Sequence, residues 1–457
     1  MKNENRNLKK TDFIRGIILM LLIPILFASC KKDEPKFTPS ERQLYTFTQG
    51  ESGFALNPPT LVNNYIYIGT SRGCTYVGTN DNAFYKLDDH LNKVWEYPLG
   101  TVEVKGAATL DEFGNIYFVT GAGVSYSTIS DNTAKLLSLD NNGNFRWSKI
   151  IDSIHSSNQI YGLSSPAISV ENVIYVGGAK FYAFDINGNE LWNYVPYNDA
   201  DIITSPIIDP SGNIYLKAQQ YSLITLETSF RELISLDKDG HERWRALSGN
   251  NCWKSSPAFS VDYSKIFFAT YNKLFCLNSS DGSIVWEYSI PGMSGDFRGT
   301  PAVDNNNNIY IGTHGEYNDD NRQTLYAIKG DGSGVIWQTN IGADLYSSPA
   351  LGNDGILYIG SEDYFSRNGY KRLHALSMAT GEIIWSASLA MDITWSSAVI
   401  SNAGILYIAT MGGESDGEED TDRRGAVYGF STGSTGLLQN AGSPRFHEGN
   451  TSTGRRD

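Results

Sequence analysis

SSPALGNDGILYIGSEDYFSRNGYKRLHALSMATGEIIW, residues 347–385, holds four short runs of β-forming residues. One opens at Ser347-Ser-Pro-Ala350, a second spans Ile356 to Ile359, a third Leu373 to Leu376, and a fourth begins around Trp385. Gly, Asn, Asp or Ser bounds each run, as expected of strands joined by turns. Copies of this unit recur through nearly all of the sequence, and a repeat of this length decides the fold before any single residue does.

Two internal distances count the copies. From the Pro of Ser-Ser-Pro-Ala to the Tyr of the following strand is nine residues in Pro58 to Tyr67, Pro166 to Tyr175, Pro206 to Tyr215, Pro301 to Tyr310 and Pro349 to Tyr358. Ala stands for Pro in Ala108 to Tyr117 and Ala398 to Tyr407, and Pro257 to Phe267 runs ten, so there are eight copies at intervals of 40 to 58 residues. The repeat closes on Gly-x-x-x-Trp or a looser version of it, at Trp95, Trp147, Trp192, Trp244, Trp286, Trp337 and Trp385. A four-stranded repeat cannot bury two sheet faces alone, so eight of them stack around an axis and close a ring. The expected fold is all-β: an eight-bladed β-propeller of four-stranded antiparallel blades over residues 44–440. A Trp at one fixed place per blade reads as a blade-docking residue, since a ligand site would need the rings to converge.

The segments Leu376-Ser-Met-Ala-Thr-Gly-Glu-Ile-Ile-Trp385 and Leu277-Asn-Ser-Ser-Asp-Gly-Ser-Ile-Val-Trp286 resemble the tryptophan-docking motif of the pyrroloquinoline-quinone-type, or quinoprotein-like, propeller repeat. The resemblance covers roughly residues 44 to 440 and implies the propeller fold. That repeat serves both quinone-dependent dehydrogenases and non-catalytic outer-membrane lipoproteins, so function has to be argued from the site.

Upstream of the repeats, Lys2, Arg6, Lys9, Lys10 and Arg15 precede an apolar run from Gly16 to Phe27, too short for a permanent membrane span. It ends in Leu26-Phe-Ala-Ser-Cys30, which resembles a bacterial lipobox and implies a signal peptide over 1–29 with Cys30 as the lipid attachment site. Lys31-Lys-Asp-Glu34 is similar to the charged tetrapeptides of surface-exposed lipoproteins; residues 30–43 are then a lipidated tether. The expected location is the outer membrane, at the cell surface or the periplasmic face.

Residues 1–29 hold five basic and two acidic groups, leaving 31 basic and 48 acidic residues and a formal charge of −17. So acidic a surface repels phosphate, which excludes nucleic acid and leaves the Cys30 lipid as the membrane contact. Of the other cysteines, Cys276 stands where Ala183, Ala327 and Ala375 stand in other repeats and is expected to pack as a small apolar residue, while nothing in the spacing of Cys74 and Cys252 demands a bridge.

Tyr45 precedes Pro58 by the same thirteen residues that separate Trp95 from Ala108, Trp244 from Pro257 and Trp385 from Ala398. The strand Leu44 to Thr48 therefore serves as the outer strand of the last blade and closes the ring. Repeat length varies mainly between the second and third strands, with long loops around 70–83, 120–134, 218–231, 313–323, 361–371 and 410–425. Equivalent loops emerge on one face of a propeller, and variable loops on a rigid scaffold are where binding resides.

Lys105, Trp253, Lys254, Phe297, Arg298, Tyr346 and Trp395 lie in the connections that enter each first strand on that same face, and form the expected ligand face. Asp140-Asn-Asn-Gly143, Asp185-Ile-Asn-Gly188 and Asp237-Lys-Asp-Gly240 read as hairpin turns, and the acidic run Gly412 to Asp422 lacks calcium-loop spacing. The tail Ser443-Pro-Arg-Phe-His-Glu-Gly-Asn-Thr-Ser-Thr-Gly-Arg455 resembles a segment common in propeller lipoproteins, and residues 441–457 are expected to dock on the disc.

Six His and no catalytic or metal-ligand spacing speak against an enzyme. The expected function is a non-catalytic, lipid-anchored scaffold that takes a protein or glycan on its long-loop face. As either a monomer or part of a hetero-complex, it is similar in this to the propeller lipoprotein of the outer-membrane barrel-assembly machinery. The alternative is a dehydrogenase holding pyrroloquinoline quinone and calcium in the funnel.

Overall fold

Runs such as Ile66-Tyr-Ile-Gly69 do not alternate apolar with polar residues because they are covered on both faces. Ile66–Gly69 and Asn82–Leu87 of the first blade are buried throughout, whereas the outermost strand Lys93–Gly100 has only exposed and half-buried residues. A computed structural model describes residues 42–456 except 49–52, 55–56, 72–80, 123–132, 154–163, 197–200, 203, 222–227, 248–254, 271–272, 291–295, 315–322, 363–371, 390 and 412–424. Among the described residues there is no helix, and the strands form eight antiparallel sheets. Each has four strands in radial order, and three gain a short fifth strand: Val102–Val104, Asp201–Ile202 and Asp296–Phe297.

The core lies between blades. Eight clusters of buried apolar side chains each draw from two neighbouring sheets, and one joins the eighth blade (Val399, Tyr407, Val427) to the first (Leu61, Ile66, Tyr85). Eight junctions for eight blades mean a closed ring. The expected closure forms: Gln43–Thr48 pairs antiparallel with Ala426–Ser431, Tyr45 opposite Gly429. Phe47 enters the junction with the first blade, its ring 5.1 Å from that of Tyr85. Cys276 is buried in the cluster between blades five and six, and burial pushes its thiol up to about 12.

Tryptophan couples the blades. Trp95, Trp147, Trp192, Trp244, Trp286 and Trp337 each donate their indole N–H to a carbonyl of the next blade, over 2.8 to 3.1 Å. Each ring lies against a glycine of that blade's outer turn: Gly143, Gly188, Gly240, Gly282, Gly332 and Gly381. These glycines have φ between +72° and +87°, so the turn needs Gly twice, for its conformation and for the ring above it. Trp385 meets the closing blade differently, packing on Phe430 beneath the Arg42 guanidinium. At the first blade Leu91 takes the glycine's place with φ 62°, and Tyr45, not a Trp, faces this turn, its ring 4.8 Å from that of His90. The Asp-x-x-Gly segments are hairpin turns, as when Asp140 Oδ1 accepts the amides of Asn142 and Asn144.

Ser-Ser-Pro-Ala also has a physical reason. The second Ser, or its Thr counterpart, accepts the amide of the preceding blade: Ala107 N to Ser165 Oγ, Ser165 N to Ser205 Oγ, Ser205 N to Ser256 Oγ, Ser256 N to Thr300 Oγ1 and Thr300 N to Ser348 Oγ, at 2.9 to 3.2 Å. These bonds make a belt around the channel from blade two to blade seven.

Antiparallel order puts the entry to each inner strand on one face of the disc with the loops between second and third strands. The tight turns lie on the opposite face. The C-terminal tail closes the channel at that turn face. Its carbonyls accept the inner-strand amides of Leu61, Ile168, Ile208, Val303 and Leu351, while Ser443 Oγ and Asn450 Oδ1 accept those of Phe259 and Ile400. Seven of the eight blades are thus bonded to one segment.

Candidate binding site at the channel mouth

With the turn face plugged, chemistry in the channel falls at the other end, where each chain connection drops into an inner strand. Among the described residues, one residue of each of five such connections is committed to packing. Val104, Ile202, Leu345 and Ile393 press on Gly69, Gly177, Gly312 and Gly360 of the preceding blade, where an added Cβ would stand 2.2 to 2.5 Å from the apolar side chain. Phe297 holds the same place between blades five and six and is wholly buried. It offers no surface to a ligand, which corrects its placement on the binding face.

The positions on either side of that packing residue lie at the mouth. An acidic residue precedes it in five blades: Glu103, Asp201, Asp296, Asp344 and Asp392. Lys105, Arg298, Tyr346 and Thr394 follow the packing residue. Lys105 is buried and its Nζ donates to Glu103 Oε2 over 2.6 Å, so this pair is largely self-satisfied. Trp253 and Lys254 lie outside the described residues.

Blades six to eight carry the densest network. Arg298 Nε donates to Asp296 Oδ2 over 2.6 Å, and the other Asp296 oxygen is 2.9 Å from His314 Nδ1. His314 Nε2 stands 3.8 Å from Asp344 Oδ2, too far for a hydrogen bond. Asp344 and Glu362 exchange backbone bonds, and Thr394 Oγ1 donates to Glu362 Oε2 over 2.8 Å. The Arg298 guanidinium lies 5.3 Å over the Tyr346 ring, and Tyr346 meets Trp395 edge-on at 5.0 Å. Trp395 has φ 58°; the eighth blade has six residues from its acid to the Ala of Ser-Ser-Ala, where the other four acidic connections have five to the Pro or Ala. The extra residue carries the indole out of the regular register.

Among the described residues, Asp296, Asp344, Glu362 and Asp392 are all buried, with the Arg298 guanidinium and the His314 imidazole beside them. Burial, reinforced by the Asp392 charge, pushes the Glu362 carboxyl up to about 8, and burial raises the Tyr346 hydroxyl. Carboxylates this crowded favour a cation, whether a proton or a basic group of a ligand.

Among the described residues, three carboxylate or imidazole donors come within 4.8 Å of one another only at Asp88, Asp89 and His90. That place is a surface turn whose Asp88 already accepts the amides of His90 and Asn92. The buried His374 touches Ser361 and Ser386, and burial lowers it to about 3, so it stays neutral without a carboxylate behind it. Four mouth residues came from local sequence reading: Lys105, Arg298, Tyr346 and Trp395. The acids were missed, although an acid five residues ahead of the Pro or Ala in four copies of the repeat is a signal that alignment of the repeats reveals.

Comparisons with known proteins agree with this geometry. The family model described as outer membrane protein assembly factor BamB, of the PQQ-like repeat type, matches residues 65–232, 229–315 and 321–418. No curated protein matches the chain by sequence. The structure of BamB from Moraxella catarrhalis is similar, with TM-score 0.56, 14% identity, and 84% of this chain and 98% of that chain covered. The quinohemoprotein alcohol dehydrogenase from Comamonas testosteroni gives TM-score 0.60 and 14% identity over 86% of this chain and 76% of that one. The C-terminal WD40 domain of Sif2 gives 0.51 and 8% over 84% and 98%. At these identities the structural likenesses establish the fold.

Proposed function

Because the chain belongs to the PQQ-like repeat family of outer membrane protein assembly factor BamB, we propose that it is a non-catalytic binding module that holds a protein partner at its channel mouth. The observation that carries this reading is the mouth itself: four buried carboxylates on three adjacent blades beside the half-buried rings of Tyr346 and Trp395. Aromatic faces next to buried carboxylates suit lysine or arginine side chains better than neutral sugars. Glycan remains the second ligand class, since aromatic plates bind sugars as well.

Membrane attachment through lipid on Cys30 fits this role, although residues 1–41 lie outside the described residues. Gln43 begins its strand on the turn face.

The dehydrogenase reading draws support from the likeness to the quinohemoprotein enzyme. Calcium beside a quinone requires several oxygen donors around one point. Among the described residues, the mouth carboxylates do not gather three donor atoms around one point.

Thermal shift measurements on the lipidated protein separate the classes. A basic peptide panel should raise the melting temperature, and Asp344→Asn or Asp392→Asn should abolish that shift. A calcium-dependent shift with pyrroloquinoline quinone would replace this reading with the enzyme, and a shift with glycans alone would replace protein by sugar.

A further inference from the structure

Residues 443–456 have the composition of a solvated tail: Ser, Thr, Gly, Asn and three arginines, with Phe446 the one large apolar side chain. They form no helix or strand, yet most of them are buried. Hydrogen bonding accounts for this. The inner strand of each blade is an edge, and its unpaired N–H and C=O groups face the axis. Eight such edges meet at the channel floor, and the tail bonds to seven.

Its arginines work as backbone anchors rather than as surface charges. Arg445 is wholly buried; it donates to the Gly449 carbonyl and Ser452 Oγ within the tail and to the Ser397 carbonyl of the eighth blade. Arg455 Nε donates to the Ile168 carbonyl of the third blade. Arg456 donates to the Ser260 and Val261 carbonyls of the fifth, its guanidinium 3.5 Å over the Tyr263 ring. His447 Nε2 contacts the Pro206 carbonyl of the fourth at 3.0 Å. These hydrogen-bond partners are main-chain carbonyls apart from Ser452 Oγ, so the floor reads main chain, as a peptide-binding site does.

We propose that the channel floor is a built peptide-binding site whose resident ligand is this chain's own C-terminal segment, acting as a latch. Asn450 bonds the first blade at Leu61 and the eighth at Ile400, so it reaches full bonding only when those two blades have met. The tail therefore docks last, locks the ring, and seals the floor so that ligands reach the channel from the mouth alone. This holds whether or not the mouth binds a protein.

Amide hydrogen exchange on the full-length chain tests the latch, because bonds made by one docked segment open together. In Arg445→Gly the amides of Leu61, Ile168, Ile208, Val303 and Leu351 are expected to exchange at a common rate on the order of 100-fold faster. The second-strand amides of Phe118 and Val176 keep their protection. Added synthetic peptide of residues 441–457 is expected to restore the slow rate. Unchanged protection, or acceleration confined to the eighth blade, would overturn the latch. If Arg445→Gly does not fold, Asn450→Ala carries the same readout, since it removes the bonds to Ile400 while leaving the arginines in place.

Discussion

Trp192 lies so close on Gly240 that a Cβ on the glycine would stand 2.7 Å from the ring. Ring and turn are therefore one contact made of two residues. Trp192→Ala should cost about 2–4 kcal/mol through the void and the lost indole bond to Lys238. Gly240→Ala should cost about 1–3 kcal/mol, since its φ of +87° is itself unfavourable for Ala. The double variant should fall short of the sum, because Ala at 240 no longer meets the indole; additive urea-unfolding energies would show that the two positions are independent. At the floor, burial pushes Glu448 up to about 8 from 4.5, although the Ser443 hydroxyl and Arg456 oppose the shift. The folded state then keeps a proton that the unfolded chain has lost, so stability falls as pH rises from about 4.5 through about 8. Glu362 adds the same sign. His447, held down to about 3 by burial, acts oppositely and withdraws stability as pH falls below 6.5. Glu448→Gln should flatten the decline between pH 5 and 8 in urea unfolding, and an unchanged slope would assign it elsewhere.

Among the elements, Gln43–Thr48 is set apart because its partner strand lies nearly four hundred residues away in sequence. It covers the outer edge of Ala426–Ser431 and places Phe47 in the last junction. Deleting residues 31–50 should lower the melting temperature by several degrees, since a lost outer strand forfeits a few kcal/mol in a large domain. Melting together with the intact chain would mean that the ring does not depend on this strand. The repeat distance located this element in the sequence, because Tyr45 keeps the spacing of a closing Trp. Its departure from Trp accompanies the neighbour: Leu91 has a Cβ where six other junctions have a bare glycine.

For the whole molecule, mouth and junction residues should separate by experiment. Trp395→Ala and Tyr346→Ala border solvent, so each should cost less than about 1.5 kcal/mol while abolishing the thermal shift by basic peptides. Unfolding as severe as that of Trp192→Ala would make the mouth aromatics packing, and the binding face would lose its support. Cys30→Ser should release the protein from the outer-membrane fraction, and unchanged partitioning would refute lipid attachment there. Local reading found the aromatics and Arg298, because exposed aromatic and cationic residues stand out in a connection. It missed the acids because Asp in a loop is ordinarily a turn former, and only the alignment of all blades shows their fixed place. It assigned Phe297 to the face because a lone Phe in a connection gives no sign of which side it turns to.

By itself, the sequence determined the number of blades, their strand order, the docking tryptophans and the closing strand. Each of these is periodic, and the geometry of one repeat fixes the next by stacking. Tertiary structure decided what depends on convergence at the axis. Three carboxylates from separate connections and a fourth from the loop after a second strand become one buried cluster, and a polar tail becomes a plug because seven strand edges surround it with unpaired main-chain groups. No spacing within one repeat encodes either, since the carboxylates come from three adjacent blades and the tail's partners from seven.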